Sequence, residues 1–326
     1  MYRKEKPLLL KGSTSALANN LSIEVNLEKG IISYATVHKS LVNLVSASLD
    51  GTSVNPRQIP CKEPSASQGF TMILQAKLVQ MGARTILVMT SQKGIQMYDA
   101  DSSTMLFWYA LGDVTQAEPQ VSFGRGICAV LSDYICVGNH KGEIIVLHIP
   151  ARGSNITVSE TLTGNSAAIC DLASENEKMV SCDDLGTVIV WKVGDTCQQL
   201  LKINGPGYPC SAVSIWNDLI VAGYSSGHMR VFNASTGRLH IEIAAHARWI
   251  TAIDIAKKVG EVISVAEDTF LHIWQLKPGP EPEIEHKFSD CVSDVQLQGA
   301  SFISEDGRAF AVTGYDNNEL MFYSVC

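Results

Sequence analysis

Charge is sparse in this chain. Only 18% of its 326 residues are Asp, Glu, Lys or Arg, and the formal balance is −8. The clustered Lys and Arg that a nucleic-acid binder needs for phosphates are missing, apart from the short, mixed "YRKEK" at the start. No nucleic-acid partner is expected. Long apolar runs are missing too. None approaches the ~18 residues of a membrane span, and "PLLLK" (7–11) is too brief for a signal-peptide core. A cytoplasmic location with no membrane span is the expectation, with vesicle or nuclear association left to partners. The nine cysteines contain no CxxC pair, which removes the usual zinc and redox motifs. Cys128, Cys136, Cys170, Cys182 and Cys210 stand singly in apolar stretches, as reduced buried thiols do. No metal and no cofactor are expected. Without a signal peptide, the glycosylation-type triplets at Asn20, Asn155 and Asn233 read as chance matches. Heptads are absent, so the expected state is a monomer. Helical signals are weak, and "SALANNLSIEV" (15–25) alternates as well as it follows a helical period.

What remains is apolar: 46% of the residues, enough for a large core. It is distributed as short alternating runs broken by Gly, Asp, Asn and Ser. "YICVGNHKGEIIVLHI" (134–149) is an apolar run, a turn and a second apolar run, the pattern of a β-hairpin. The pattern returns in "TILVMTSQKGIQMYD", "MVSCDDLGTVIVWKV", "LIVAGYSSGHMRVFN", "EVISVAEDTFLHIWQ" and "AFAVTGYDNNELMFYS". The large residues closing the second runs are Tyr98, Leu147, Trp191, Phe232, Trp274 and Tyr323, spaced 41 to 49 residues apart. A β-rich repeat of about 40–45 residues is one four-stranded propeller blade.

A degenerate unit before Tyr98 brings the count to seven blades, over 15–62, 70–111, 121–162, 166–203, 208–243, 247–288 and 291–326. The last lacks a fourth strand, and "PLLLK" has no partner of its own. An all-β, seven-bladed propeller, a single domain closed by strand 7–11, is therefore expected, because closure removes the open sheet edge. The proline-rich "DGTSVNPRQIPCKEPSASQG" (50–69) reads as a surface loop, and "KPGPEPE" (277–283) as a stiff link between the last two strands of blade 6.

"AHARWITAIDIAKKVGEVISVAEDTFLHIW" (245–274) raises the question of catalysis. It carries His246, Ser264 and Asp268, the residue types of a hydrolytic triad. The same side chains can also satisfy one another inside a fold. No G-x-S-x-G elbow accompanies them, and other units keep fragments of the pattern without the His.

These units resemble the WD-repeat family over nearly the whole chain, though the closing "WD" pair is nowhere intact: "WK", "FN", "WQ" and "YS" replace it. The resemblance implies a WD40-type propeller in which His246, Ser264, Asp268 and Trp274 form a buried structural tetrad. Trp274 would donate to Ser264, Ser264 would meet His246, and Asp268 would accept from the other side of the imidazole. Blade 4 keeps Ser181 and Trp191 but has Asn165 for the His and Leu185 at the acid position, with Asp184 one place early. Blade 5 has Ala222, Ser226 and Phe232 in the corresponding places. The Arg two places after the closing pair, common in cullin-ligase receptors of this family, is replaced by Val193, Ala234 and Leu276.

The implied function is non-enzymatic: a scaffold that binds a peptide or protein with its rim loops. Candidate contacts are Trp249, Tyr224, Tyr315, His140, Arg125 and Tyr208, residue types favoured at interface hot spots. Turn acids Asp183, Asp184, Glu267, Asp268 and Asp316 predict a net negative face suited to a basic partner. The alternative is an enzyme or small-molecule sensor using the central channel. Against it, Asp171, Asp254 and Asp294 stand in similar contexts ("ICDLA", "AIDIA", "VSDVQ"), as members of a repeat would.

Overall fold

Wherever an apolar run, a turn and a second run succeed one another, the chain forms an antiparallel hairpin. "MVSCDDLGTVIVWKV" becomes strands Lys178–Asp183 and Val188–Lys192, with Ser181 opposite Ile189. In the computed structural model, which describes residues 1–62, 71–101, 103–111 and 122–326, no described residue is helical. The strands form seven separate antiparallel sheets in chain order. The molecule is a seven-bladed propeller.

The innermost strand of each blade is its first: Ser22–Asn26, Ile73–Met81, Gly124–Val130, Ile169–Glu175, Cys210–Trp216, Ile250–Ala256 and Leu297–Phe302. Blades 2 to 7 share a register shift at the start of this strand, as between Ile250 and Ala252. A bulge inserts an extra residue and re-aims its neighbours. Here the extra residue turns to the next blade: the Thr251 hydroxyl donates to the Leu297 carbonyl at 2.7 Å, and Ser211 donates to the carbonyl of Ile250.

The core is divided among the blade interfaces. Between blades 4 and 5, Val180, Cys182 and Val190 meet Cys210, Val213, Ile220 and Tyr224. Between blades 5 and 6, Val221 and Val231 meet Ile250, Val262 and Trp274. Alternation along each strand supplies both flanks, because successive side chains face opposite blades.

The ring closes through the N-terminus, in two pieces. Strand Tyr2–Lys4 pairs with Glu319–Val325 (Tyr2 opposite Val325), and Leu8–Leu9 pairs further along the same strand. The expected strand 7–11 is thus only the second half of the closure; the first lies in "YRK", read above as a charge cluster. Tyr2 turns inward onto Phe288 and Phe310, while Arg3 and Lys4 stay exposed. The expected loop over 50–69 is also corrected. Val54–Pro60 is the fourth strand of blade 1, paired from Ala47–Val54 to Leu41–Pro60. Its prolines are tolerated because an outermost strand leaves one set of N–H positions unpaired. Residues 63–69 of that expected loop lie outside the described residues.

Candidate functional site

The turn between the second and third strands of blade 6 carries Asp268, and the loop entering the blade carries His246. Their side chains meet below the rim. His246 Nδ1 lies 3.2 Å from both Asp268 oxygens, and its Nε2 lies 2.9 Å from the Ser264 Oγ. The Trp274 indole N–H donates to the same Oγ at 3.0 Å. The network sets the tautomer: Nδ1–H donates to the carboxylate, so Nε2 accepts the serine proton. Burial pushes the Asp268 carboxyl up, but hydrogen bonds from His246 and the N–H groups of Ala247 and Phe270 outweigh it and hold it below its usual value.

This is the polarity of a Ser-His-Asp triad, and the difference lies in access. Ser264 is fully buried, and the indole of Trp274 occupies its oxygen. Blade 4 repeats the array without a base. Trp191 donates to Ser181 Oγ at 2.9 Å, Ser181 donates to the Asn165 carbonyl oxygen at 2.7 Å, and the Asn165 amide donates to Asp183 at 3.0 Å. An amide thus reproduces the donor and acceptor of the neutral imidazole. By spacing in the repeat the acid position falls at Leu185, with Asp184 one place early. The acid is Asp183, shifted onto the strand end, where it also caps the N–H groups of Leu185 and Thr187. An acid two residues before a Leu-Gly turn was the available signal.

Topology puts the loop before each first strand and the turn after each second strand on one rim, and backbone bonds join them: Glu267 N–H to Trp249 O at 3.1 Å, Ser225 to Pro209 at 2.9 Å, His140 to Phe123 at 3.0 Å, Tyr315 to Gln296 at 2.8 Å. Trp249 and Tyr315 stand out from this rim, 36% and 50% exposed. Tyr208 and His140 are half-buried there, His140 beside Phe123. Arg125 spans two blades, its guanidinium 3.4 Å from Asp184. Tyr224 does not belong with them. It is 1% exposed, under Tyr208 and with the Arg230 guanidinium 4.8 Å from its ring. It occupies the register position of Asp183, opposite the first residue of the first strand, where side chains point between blades.

The expected acidic turns differ in what they present: Asp183 and Asp268 are tied into the buried arrays, and among the described residues Lys39, Lys93 and Lys141 occupy turns of blades 1 to 3 on the same rim. Among the described residues, Asp184 of blade 4 faces Arg125, and the other rim acids that reach solvent are Glu267, Asp294 and Asp316 in blades 6 and 7.

Along the axis lies a cavity of about 440 Å³, lined by first strands of all seven blades. Asp171 and Asp254 line it but are not repeat equivalents: Asp171 lies opposite Cys182, whereas Asp254 lies opposite Ile263, and Asp294 sits in the turn before its strand. Each lining Asp reaches the next blade, Asp171 accepting from Val213 N–H at 3.0 Å and Asp254 from Phe302 N–H at 2.8 Å. Burial pushes the Asp171 carboxyl up to about 6 and the Glu24 carboxyl up to about 7. The rim-side mouth is crossed by Asn19, whose N–H donates to Thr251 O at 2.8 Å and whose amide donates to Ser211 O at 3.3 Å.

A family model described as WDR54 matches residues 1–326. The chain belongs to the WDR54 family. WD repeat domain 54 of Rattus norvegicus is 41% identical over 98% of each chain, and WD repeat-containing protein 54 of Homo sapiens is 40% identical over 99% of each. Stretches such as "GSTSALANNLS" and "TSQKGIQMY" carry the WDR54 resemblance in the sequence itself. Among solved structures, a chain of the mitotic checkpoint complex superposes with a TM-score of 0.73 at 18% identity, covering 99% of this chain and 91% of that one. The U3-55K structure gives 0.74 at 17% identity, covering 98% of each. At such identities the likeness is one of fold, and that fold is the WD40 propeller.

Proposed function

We propose that the protein is a non-catalytic scaffold, a monomer that holds a peptide or protein segment on the rim carrying Trp249 and Tyr315. The observation that carries this reading is the blade 4 array, which makes the same bonds with Asn165 where a catalytic base would be needed. An arrangement that works equally with an amide is explained by its hydrogen bonds, not by proton transfer. A propeller of this kind offers rigid loops, and exposed aromatic side chains on rigid loops are favoured as anchors. The buried, unbridged thiols of Cys128, Cys136, Cys170, Cys182 and Cys210 fit a reducing compartment such as the cytoplasm. The test is co-purification from cells with wild type and Trp249→Ala/Tyr315→Ala, alongside ester hydrolysis by wild type and Ser264→Ala. The reading expects partners lost from the rim variant and no Ser264-dependent hydrolysis. Unchanged partners, or hydrolysis that vanishes with Ser264, would overturn it.

A further inference from the structure

Three turns of blades 6 and 7 are stitched into one strip. Glu267 N–H donates to Trp249 O, Val292 N–H to Thr269 O at 3.0 Å, and Tyr315 N–H to Gln296 O. Among the described residues, Trp249, Phe270 and Tyr315 are the exposed aromatic side chains, at 36%, 41% and 50%; the other exposed large apolar ones are aliphatic. All three stand on this strip, and Glu267, Asp294 and Asp316 stand among them; the described cations nearby are Arg248 and Lys11, the latter in the segment that bonds Asn317 and Asn318. The opposite half of the rim carries Lys39, Lys93 and Lys141. Among the described residues the rim is therefore polarised, with its exposed aromatic side chains in the half that carries Glu267, Asp294 and Asp316.

We infer that the strip over blades 6 and 7 docks a basic segment of a partner protein, with Lys or Arg side chains over Trp249 and Tyr315 and beside Glu267, Asp294 and Asp316. This rests on the scaffold reading and adds to it the partner's chemistry and the sector used. Aromatic faces attract ammonium and guanidinium groups, and neighbouring carboxylates strengthen the preference. An acidic segment would meet like charge here, and an uncharged one would leave the carboxylates partly desolvated without partners. The segment lies across the rim instead of entering the axis, because Asn19 bridges the mouth to Ser211 and Thr251.

The test uses the full chain and a short fluorescent peptide alternating Lys with Gly and Leu, next to its Glu counterpart, followed by anisotropy. The proposal expects the Lys peptide to bind, the Glu peptide to fail, and affinity to fall as salt rises. Both Glu267→Lys/Asp316→Lys and Trp249→Ala/Tyr315→Ala should weaken binding about tenfold or more, and Lys141→Ala should leave it unchanged. Exposed positions are substituted, and unchanged melting curves verify the fold. Equal binding of the Glu peptide, or wild-type affinity in both sector variants, would overturn it. The scaffold reading fails separately, if cellular partners survive every rim substitution. Partners lost from the sector variants without any preference for the Lys peptide would sink this inference alone.

Discussion

The phenol of Tyr2 donates a 2.7 Å hydrogen bond to the carboxylate of Glu261, joining the N-terminus to the second strand of blade 6. Burial and this bond hold the phenol well above its usual range. Lys287 pairs with the same carboxylate, so Glu261 is buried but not unpaired. Tyr2 thus completes blade 7 and anchors it to its neighbour. Tyr2→Phe should destabilise the protein by about 1.5–3 kcal/mol in chemical denaturation, the range for losing one hydrogen bond to a charged group. Deleting residues 1–11 should lower the melting temperature much further, since it also removes Leu10 from its cluster with Leu21, Val45 and Leu320 and uncovers the edge of strand Glu319–Val325. An unchanged melting curve would contradict the closure.

Blade 4 supplies the control for blade 6. His246→Ala leaves the buried Ser264 hydroxyl proton without an acceptor, at about 1–3 kcal/mol, and leaves Asp268 only the N–H groups of Ala247 and Phe270. His246→Asn should recover part of that loss, because Asn165 already plays the role next to Ser181. Denaturation of the two variants side by side measures the difference. Equal losses would mean that ring packing, not hydrogen bonding, is what His246 contributes.

The axial carboxylates make stability depend on pH. Burial raises Asp171 from 3.8 to about 6. Above pH 6 both folded and unfolded forms are ionised, and the folded one bears the desolvation cost. As pH falls from 6 toward 3.8 only the folded form takes up the proton, so this group adds stability in that window. Asp171→Asn keeps an acceptor for Val213 N–H and removes the titration. Relative to wild type it should gain in melting temperature at pH 8 and lose that gain progressively as pH falls from 6 toward 4.

His272 acts in the opposite sense. Burial, with His246 and His286 close by, pushes its imidazole from 6.5 down to about 4, with Asp268 partly opposing. Between those values the unfolded chain binds a proton that the folded one refuses, so stability falls with pH. Its ring is sandwiched among His246, His286 and Trp274. His272→Gln should flatten the decline between pH 6.5 and pH 4 in melting curves taken against wild type.

Gly227 sits at a tight point of the rim. Its φ is +83°, and a Cβ there would lie 2.1 Å from the His246 carbonyl oxygen, while its own carbonyl accepts the N–H groups of Ala245 and His246. Gly227→Ala should cost about 1–3 kcal/mol and loosen the entry to blade 6. Faster amide exchange at Ala245 and His246 is the expected signature.

The blade count was legible because Trp191, Phe232, Trp274 and their equivalents close each third strand on a large residue, and burial between blades demands one. The blade 6 quartet was legible because its members keep their spacing. Asp183 was not, since it reaches Asn165 from a different backbone position, and only the folded turn shows that the two routes converge. Tyr224 misled for the same reason: a Tyr beside Gly and Ser looks like a turn tip, yet its register directs it between blades. Asp171 and Asp254 looked equivalent in sequence, and the bulges that precede them conceal their different offsets.

Proximity labelling in cells expressing wild type, His246→Asn and Trp249→Ala/Tyr315→Ala tests the central claim most directly. A structural histidine beneath a binding rim predicts the wild-type set of labelled neighbours for His246→Asn and a depleted set for the rim variant. Neighbours that depend on His246 but survive loss of both aromatic side chains would contradict the account.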